Sequence, residues 1–164
     1  MNQRYDVIII GAGGAGLLCA MTAGQRGRSV AVLEHNERVG KKILISGGGR
    51  CNFTNLDAGP ENYISNNPHF CRSALSRYPS SEFIELVRKH GIEFYEKTLG
   101  QLFCKLSSKK IVGLLNNECR DAGVEIVSGC EVDSLKAGNG FRLQTSQGDF
   151  ECESLVIATG ALSF

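Results

Sequence analysis

Three glycines near the N-terminus have the spacing that a phosphate-binding turn requires. They form a GxGxxG pattern directly after a β-branched apolar run. The first glycine permits a tight strand-to-helix turn, the second lets a pyrophosphate approach the backbone, and the third lets the helix lie close to the strand. The helix N-terminus would direct N–H groups and the positive end of its dipole toward the phosphates. The predicted cofactor-binding residues of this turn are Gly11, Ala12, Gly13, Ala15 and Gly16.

An acidic residue stands where such a site binds ribose. Glu34 follows the second apolar run, Ser29–Leu33. A carboxylate at this position can accept hydrogen bonds from both ribose hydroxyls of an adenosine, and it would repel a 2′-phosphate. The site is therefore predicted to take FAD or NAD, and NADP is disfavoured.

A second glycine-rich segment, LISGGGRCNFTN from Leu44 to Asn55, places flexible backbone beside polar groups. A linker would be richer in Gly and Ser and would not hold Arg50 and Cys51 so close to the glycines. Without Cβ atoms, Gly47–Gly49 would let the backbone lie against a large flat ligand. The preceding segment 34–46 is expected to be extended, which suits FAD, whose ribityl chain and isoalloxazine ring stretch away from the adenosine.

The elements that must position these residues have the pattern of an α/β fold with a parallel sheet. Buried strands are predicted at Tyr5–Ile10, Ser29–Leu33, Val124–Val127 and Ser154–Gly160, and a β-meander at Glu131–Leu135, Phe141–Thr145 and Asp149–Cys152. Helices are predicted at Leu17–Arg26, from Ser80 or Ser81 to Lys89, and at Lys109–Ala122, with a further strand at Ile92–Tyr95. Phe70, Phe83 and Phe103 are expected in the core.

Composition excludes several classes of function. The 164 residues are 42% hydrophobic and 21% charged, as in a soluble globular protein, and the net charge of +1 gives no electrostatic footprint for nucleic acid. The seven cysteines are scattered without CxxC pairs, which argues against a zinc site and against a secreted disulfide framework. The apolar N-terminal stretch is too short and too rich in glycine to span a membrane. We therefore expect a cytoplasmic protein without metal, nucleic acid or membrane partner.

Several motifs together resemble one family. GAGGAG, Glu34, GKKILISGGGRCNFTN and the late VIATGALSF are similar to the YhiN/BaiN-type flavoproteins, also described as aminoacetone-oxidase-like NAD(P)/FAD-dependent oxidoreductases. These belong more broadly to the glutathione-reductase structural class. The resemblance covers essentially the whole chain and implies a Rossmann-like domain that binds FAD noncovalently.

The resemblance also implies roles for further residues. The ribityl and isoalloxazine portions would be lined by Ser46, Gly48, Arg50, Cys51 and Asn52. The backbone of Val132 would hold the adenine, and Thr159 and Gly160 would approach the pyrophosphate. Lys42 would reach a phosphate; alternatively, it is an ordinary solvent-exposed lysine without a role in the site. For Cys51 a packing or flavin-contact role is favoured over a catalytic thiol, because position 56, where a redox partner would be expected, is Leu56.

The domain organisation follows from the same resemblance. Residues 1–164 form the FAD-binding domain, with a helical insertion at 57–122 and the adenine-side strands and meander at 123–164. A substrate domain is expected to follow, so the chain is expected to be an N-terminal fragment.

The predicted function is a flavin-mediated redox reaction on a small-molecule substrate, with NAD(P)H as a candidate external electron donor. Two alternatives stay open: a catalytically incomplete dinucleotide-binding module, and an NAD-dependent dehydrogenase domain. The substrate, the catalytic residues and the oligomeric state are not readable from the sequence.

Overall fold

The chain alternates strands and helices in its first third and ends in consecutive strands. The computed structural model describes residues 3–161. In chain order the elements are β1 (Gln3–Ile10), α1 (Gly14–Gln25), β2 (Val30–Glu34), α2 (Lys41–Ile45), β3 (Asn52–Asn55), α3 (Arg72–Arg77), α4 (Ser80–Lys89), β4 (Phe94–Glu96), β5 (Gln101–Cys104), α5 (Lys109–Asp121), β6 (Glu125–Ser128), β7 (Val132–Gly138), β8 (Gly140–Thr145) and β9 (Gly148–Ile157). Short 3₁₀ turns lie at Ser46–Gly49 and Pro60–Asn62.

These elements are distributed over two compact units. The first unit includes the chain up to Lys42 and from Leu115 onward, and the second is Ile43–Leu114. The predicted insertion 57–122 overlaps the second unit.

The first unit is built on a six-stranded sheet in the order β6-β2-β1-β9-β8-β7. The pairs β6–β2, β2–β1 and β1–β9 are parallel, and the pairs β9–β8 and β8–β7 are antiparallel. All five residues of β2 are buried, as expected for a parallel strand covered on both faces. The predicted parallel sheet with a β-meander is therefore confirmed.

Apolar side chains of the parallel strands and of the meander form one core cluster. Its buried members are Ile8, Ala31, Leu33, Cys130, Leu143, Phe150 and Cys152. Helix α1 buries Leu17, Ala20 and Met21 and begins at Gly14, three residues before its predicted start. Because β1 and α1 are joined by only the few residues of the glycine turn, the turn itself is held in place by core packing on either side.

Strand β9 corrects one prediction. The sequence predicted a last meander strand at Asp149–Cys152 and a separate buried strand at Ser154–Gly160, but the structure has one continuous strand. Its first part pairs with β8, and most of its length pairs with β1. Glu153 does not interrupt it because this side chain is exposed. The strand ends at Ile157, which is 61% exposed, so this end of the strand is not buried as predicted.

The segment after Glu34 is not extended, which is a second correction. Gly40, with a φ of +68°, turns the chain, and its N–H donates to the Ala12 carbonyl at 2.9 Å. Residues 41–45 contain no helix breaker and form α2, and the 3₁₀ turn Ser46–Gly49 follows directly.

The second unit contains an antiparallel sheet in the order β3-β5-β4. Phe53 of β3 packs against Phe83 and Phe94, with ring centroids 6.1 and 5.4 Å apart, and α4 buries Ile84 and Val87. The sequence did not predict β3 or β5, since each has only four residues and β3 includes two asparagines.

Two further expectations fail in the second unit. The N-cap of α4 is Pro79, not Ser80 or Ser81. Phe103 is buried as predicted, whereas Phe70 is 81% exposed. Phe70 belongs to a run of ten exposed residues, Glu61–Phe70, so no core surrounds it in this unit. Within residues 3–161, no helix combines the length and the apolar character that crossing a bilayer requires.

Candidate functional site

The glycine turn between β1 and α1 leaves no room for side chains at its first and last glycine. Gly11 has a φ of +106°, and a Cβ there would lie 2.6 Å from the carbonyl oxygen of Ala158. A Cβ on Gly16 would lie 1.9 Å from the carbonyl oxygen of Gly11. These contacts bring the helix close to the strand, as the sequence predicted for the first and third glycines.

The middle glycine is different, because it faces open space. Gly13 has an ordinary φ of −81°, and a Cβ there would meet nothing within 4 Å. It is the N-cap residue of α1 and offers no side-chain hydrogen bond to the helix, and the first turn contains no acidic residue. Ala15 is exposed in that turn, and Ala12 is fully buried. An uncapped helix N-terminus beside an open glycine is the arrangement that binds phosphate.

Glu34 lies at the end of β2 and is only 6% exposed. Its Oε2 accepts the N–H of Ala12 at 2.8 Å, and its Oε1 accepts the backbone N–H of Asn36 at 2.9 Å and the side-chain Nδ2 of Asn36 at 2.7 Å. The His35 Nδ1 lies 3.1 Å from Oε1. Burial acts to raise the pKa of Glu34, but the hydrogen bonds from Asn36 and Ala12 outweigh it and lower the pKa below its ordinary value. Glu34 is therefore an anion held in a fixed orientation.

The loop after β9 completes the carboxyl edge of the parallel strands. The N–H of Ala158 donates to the Ile10 carbonyl at 2.8 Å, so this loop lies beside the glycine turn. Thr159 and Gly160 are exposed, and Gly160 has a φ of +73°. Lys42 reaches the same loop: its Nζ donates to the Ala161 carbonyl, and a Cβ on Gly160 would lie 3.3 Å from that Nζ.

Val132 begins β7, just after a loop that two backbone hydrogen bonds join to Glu34 and Asn36. The N–H of Cys130 donates to the Glu34 carbonyl at 2.9 Å, and the N–H of Gly129 donates to the Asn36 carbonyl at 3.0 Å. Val132 follows two residues later and packs its half-buried side chain against the core cluster. The structure thus brings together the first-unit residues that the sequence predicted: the glycine turn, Glu34, Lys42, Thr159 and Gly160, with Val132 at the margin.

The remaining predicted residues lie in the second unit, around the triple glycine. Gly47, Gly48 and Gly49 all have positive φ, at 57°, 64° and 81°. A Cβ on Gly47 would lie 2.7 Å from the Phe103 ring, whereas a Cβ on Gly48 would meet nothing within 4 Å. Gly47 is therefore required by packing, and Gly48 presents open backbone.

The polar residues beside the triple glycine are held by local hydrogen bonds. Ser46 Oγ donates to the Ile43 carbonyl at 2.8 Å, and Arg50 Nη1 donates to the Tyr95 hydroxyl at 3.3 Å. The side-chain amide of Asn52 faces the carbonyls of Thr54 and Leu102, which assigns its nitrogen, rather than its oxygen, to the positions 3.1 and 3.2 Å from them. Arg50 stays exposed and so keeps donors for a ligand.

Cys51 has the geometry of a packed residue. It is buried, its φ is +54°, and its N–H donates to the Ser46 carbonyl at 3.1 Å. Burial raises the pKa of the Cys51 thiol, with an opposing contribution from a hydrogen bond to Ser46. A protonated, buried thiol is a poor nucleophile, which favours the packing or contact role over the catalytic one.

Sequence reasoning missed Asn36, which contributes two hydrogen bonds to Glu34. Its only signal in the sequence is its position two residues after the acid, and an asparagine in a loop is ordinarily a turn residue.

Comparison with known proteins identifies the family to which this chain belongs. A family model described as the HI0933-like protein Rossmann domain matches residues 5–164. The ribosomal RNA dihydrouridine synthase of Escherichia coli (strain K12) is 52% identical over 98% of this chain and 40% of its own length. The 3-dehydro-bile acid delta(4,6)-reductase of Clostridium scindens is 31% identical over 93% of this chain and 38% of its own length.

Among solved structures, glycine oxidase from Geobacillus kaustophilus superposes with a TM-score of 0.64 at 19% identity, over 98% of this chain and 56% of that one. This likeness concerns the fold. The chain spans about two fifths of the length of the two curated relatives.

Proposed function

The chain belongs to the HI0933-like Rossmann-domain family, and on this basis we propose that it is the FAD-binding domain of a flavoprotein oxidoreductase. The observation that carries the proposal is the open Gly13 at the uncapped N-terminus of α1, beside the buried anion of Glu34. The narrower assignment to the YhiN/BaiN-type flavoproteins is part of the proposal.

The residues of the first unit fit a dinucleotide. The N–H groups in the first turn of α1, with the open Gly13, would hold the pyrophosphate. Glu34 accepts from the adenosine ribose, the Val132 backbone contacts the adenine, and Lys42 brings a positive charge to the loop of Thr159 and Gly160. For Ser46, Gly48, Arg50, Cys51 and Asn52 we propose the contacts with the flavin end that the family resemblance implies. FAD supplies the capacity to accept and deliver a hydride.

The names of the two relatives describe one type of reaction. Making dihydrouridine adds two hydrogens to the C5=C6 bond of uridine, which is conjugated to the C4 carbonyl. A delta(4,6)-reductase of a 3-dehydro-bile acid acts on C=C bonds conjugated to the C3 carbonyl. We propose that the whole protein reduces a C=C bond conjugated to a carbonyl, with NAD(P)H as electron donor.

The proposed substrate is uridine in ribosomal RNA, because the relative with that activity in its name is 52% identical. A small-molecule unsaturated ketone is the second candidate, and the 31% identical bile-acid reductase favours it. With this second candidate, the substrate is a small molecule and nucleic acid is not a partner, as was expected from the sequence.

Flavin content tests the cofactor. The full-length protein should purify with about one FAD per chain, released on denaturation. Gly13→Val should remove FAD and lower the thermal midpoint of the flavin-free protein only slightly, because a Cβ at Gly13 meets no atom of the described residues within 4 Å and the remaining cost is that of a less favourable N-cap residue. Gly138→Val, at an equally open glycine in β7, is the matched control and should keep its flavin. Undiminished FAD in Gly13→Val would refute the site.

Product analysis tests the substrate. The full-length protein is incubated with NADH or NADPH and with ribosomal RNA that lacks dihydrouridine, and the nucleosides are analysed by mass spectrometry. Dihydrouridine should form with wild-type protein and not with Gly13→Val. Absence of dihydrouridine, together with reduction of an unsaturated ketone, would replace RNA by the small-molecule candidate.

A further inference from the structure

The protein itself occupies most of the hydrogen-bonding capacity of the Glu34 carboxylate. A carboxylate has about four acceptor positions, two on each oxygen. Oε1 already accepts the backbone N–H of Asn36 at 2.9 Å and its Nδ2 at 2.7 Å, so both positions are used. Within residues 3–161, the one donor to Oε2 is the N–H of Ala12, at 2.8 Å. One acceptor position therefore remains, and it is on Oε2.

The carboxylate is not free to turn and expose its other oxygen. Glu34 is 6% exposed, and the Ala12 N–H that binds Oε2 belongs to the tightly packed glycine turn. The donors on the other side are also fixed, because the Asn36 carbonyl accepts from Gly129 at 3.0 Å and the Glu34 carbonyl accepts from Cys130 at 2.9 Å. Rotation of the carboxylate would break hydrogen bonds to a buried charge, which is strongly unfavourable.

The imidazole of His35 adds to the crowding at Oε1. Its Nδ1 lies 3.1 Å from that oxygen, while the rest of the side chain is exposed. A ribose hydroxyl approaching Oε1 would have to displace both His35 and the Asn36 amide. Among the described residues, Oε2 accepts a single hydrogen bond, from the Ala12 N–H, and so keeps an acceptor position that Oε1 lacks.

We propose that Asn36 is a positioning residue that fixes Glu34 so that the carboxylate binds one hydroxyl of the adenosine ribose, through Oε2, and not both. This inference rests on the proposed dinucleotide function and changes the expectation that Glu34 accepts from both hydroxyls. Its consequence is unequal recognition: removing one ribose hydroxyl weakens binding, and removing the other does not. Without the Asn36 side chain, Oε1 loses one donor and His35 loses its 3.0 Å contact with Asn36 Nδ2, so the second hydroxyl can bind at Oε1 in place of the exposed imidazole.

The experiment uses full-length protein from which the flavin has been removed, titrated calorimetrically with ADP, 2′-deoxy-ADP and 3′-deoxy-ADP. With wild-type protein, one deoxy analogue should bind about tenfold more weakly than ADP, the effect of one hydrogen bond to a charged group, and the other within about twofold. With Asn36→Ala, the ratio between the two deoxy analogues should fall at least about threefold. Asn139→Ala, an exposed asparagine between β7 and β8, is the matched control and should keep the wild-type ratio.

Two results would overturn the inference and leave the cofactor assignment intact: equal weakening by both analogues in the wild-type protein, or an unchanged ratio in Asn36→Ala. If Asn36→Ala does not fold, Asn36→Ser, which also lacks the Nδ2 donor, takes its place and should show the same fall in the ratio. Failure of wild-type apoprotein to bind either ADP or FAD would instead refute the proposed function, and this inference with it.

Discussion

At the scale of single residues, the site depends on a charge held almost out of water. A buried carboxylate is stable only when donors replace its lost hydration. Ala12 and Asn36 supply those donors to Glu34, and all of them come from within two residues of Glu34 or from the glycine turn. The same contacts that orient the Glu34 carboxylate therefore also stabilise the fold around it.

Acid titration should reveal the contribution of Glu34 to stability. Because folding lowers its pKa, Glu34 stabilises the protein above its ordinary pKa, about 4.5, and this stability is lost as the pH falls through the lower folded value. We expect Glu34→Gln to be less stable at pH 7 and to lose less stability between pH 5 and pH 3 than the wild type. The urea unfolding midpoint of each protein, measured at several pH values across this range, gives its loss of stability. If the midpoints of the two proteins fell in parallel with pH, the prediction would be contradicted.

Tyr5 should have the opposite effect at alkaline pH. Burial, together with a 2.5 Å hydrogen bond from its hydroxyl to Glu125, raises the pKa of Tyr5 to about 12. Its stabilising contribution is present below pH 10 and is lost as the pH rises from 10 to 12. Tyr5→Phe should therefore be less stable at pH 8 and lose less stability over that interval. Tyr63→Phe, at an exposed tyrosine, is the control, and an unaltered alkaline profile in Tyr5→Phe would count against the bond.

Residue types at fixed spacing made part of this site predictable. A tight turn and a close helix restrict the residues allowed at Gly11 and Gly16, and the spacing predicted an acid at the end of the second strand, where the structure has Glu34 beside the turn. Asn36 was not predicted, because its role depends on the loop of Gly129 and Cys130, which holds the backbone of Glu34 and Asn36 in place. The local sequence does not encode that contact.

At the scale of elements, the junction of β1 and α1 is set by backbone-to-backbone contact. Gly16 touches the Gly11 carbonyl, and Gly11 touches the Ala158 carbonyl, so helix, turn and the loop after β9 are stacked without side chains between them. The sequence predicted this junction from its pattern. It did not predict α2, because Gly40 was read as part of an extended run, and its positive φ is fixed by a bond to Ala12 that lies far away in sequence.

Adding one methyl group to this junction should be costly. In Gly16→Ala the Cβ would lie 1.9 Å from a backbone oxygen that cannot move without breaking the turn, so we expect a loss of about 3 kcal/mol in the free energy of unfolding. Gly113→Ala in α5 is the matched control: its Cβ meets nothing within 4 Å, and alanine is favoured over glycine in a helix by about 1 kcal/mol. In denaturant unfolding, the free energy of unfolding should therefore fall in Gly16→Ala and rise in Gly113→Ala. Equal changes in the two variants would contradict the packing argument.

At the scale of the whole molecule, two sheets divide the chain between two units. The chain leaves the first unit after Lys42 and returns to it at Leu115. The sequence predicted the strands of the larger sheet, with β9 divided in two, from their apolar runs and turns. It missed most of the three-stranded sheet, because those strands are short and are stabilised by Phe53, Phe83 and Phe94 packing across them. Interactions between distant segments, rather than local preference, determine that second sheet.

Exposure within the second unit predicts where a protease cuts first. The run Glu61–Phe70 is exposed throughout, with Tyr63 at 50% and Phe70 at 81%, whereas Phe150 is buried in the core cluster. Brief chymotrypsin digestion should therefore cleave after Phe70 and Tyr63 before any other aromatic residue. Mass spectrometry of the first fragments measures this, and Phe70→Ser should remove one of the two early cuts. An initial cut near Phe150 would contradict the structure.

The pairing of β1 with β9 has a consequence for how the protein is made. Strand β1 leaves the ribosome long before its partner β9, and Gly11 packs against Ala158, 147 residues later in the chain. At roughly 5–20 residues per second, translation needs about 7–30 s between these two points. During that interval one edge of β1 has no partner strand and the glycine turn lacks one of its walls. The nascent protein should therefore depend on chaperones until β9 has emerged, and FAD is expected to bind only after that moment.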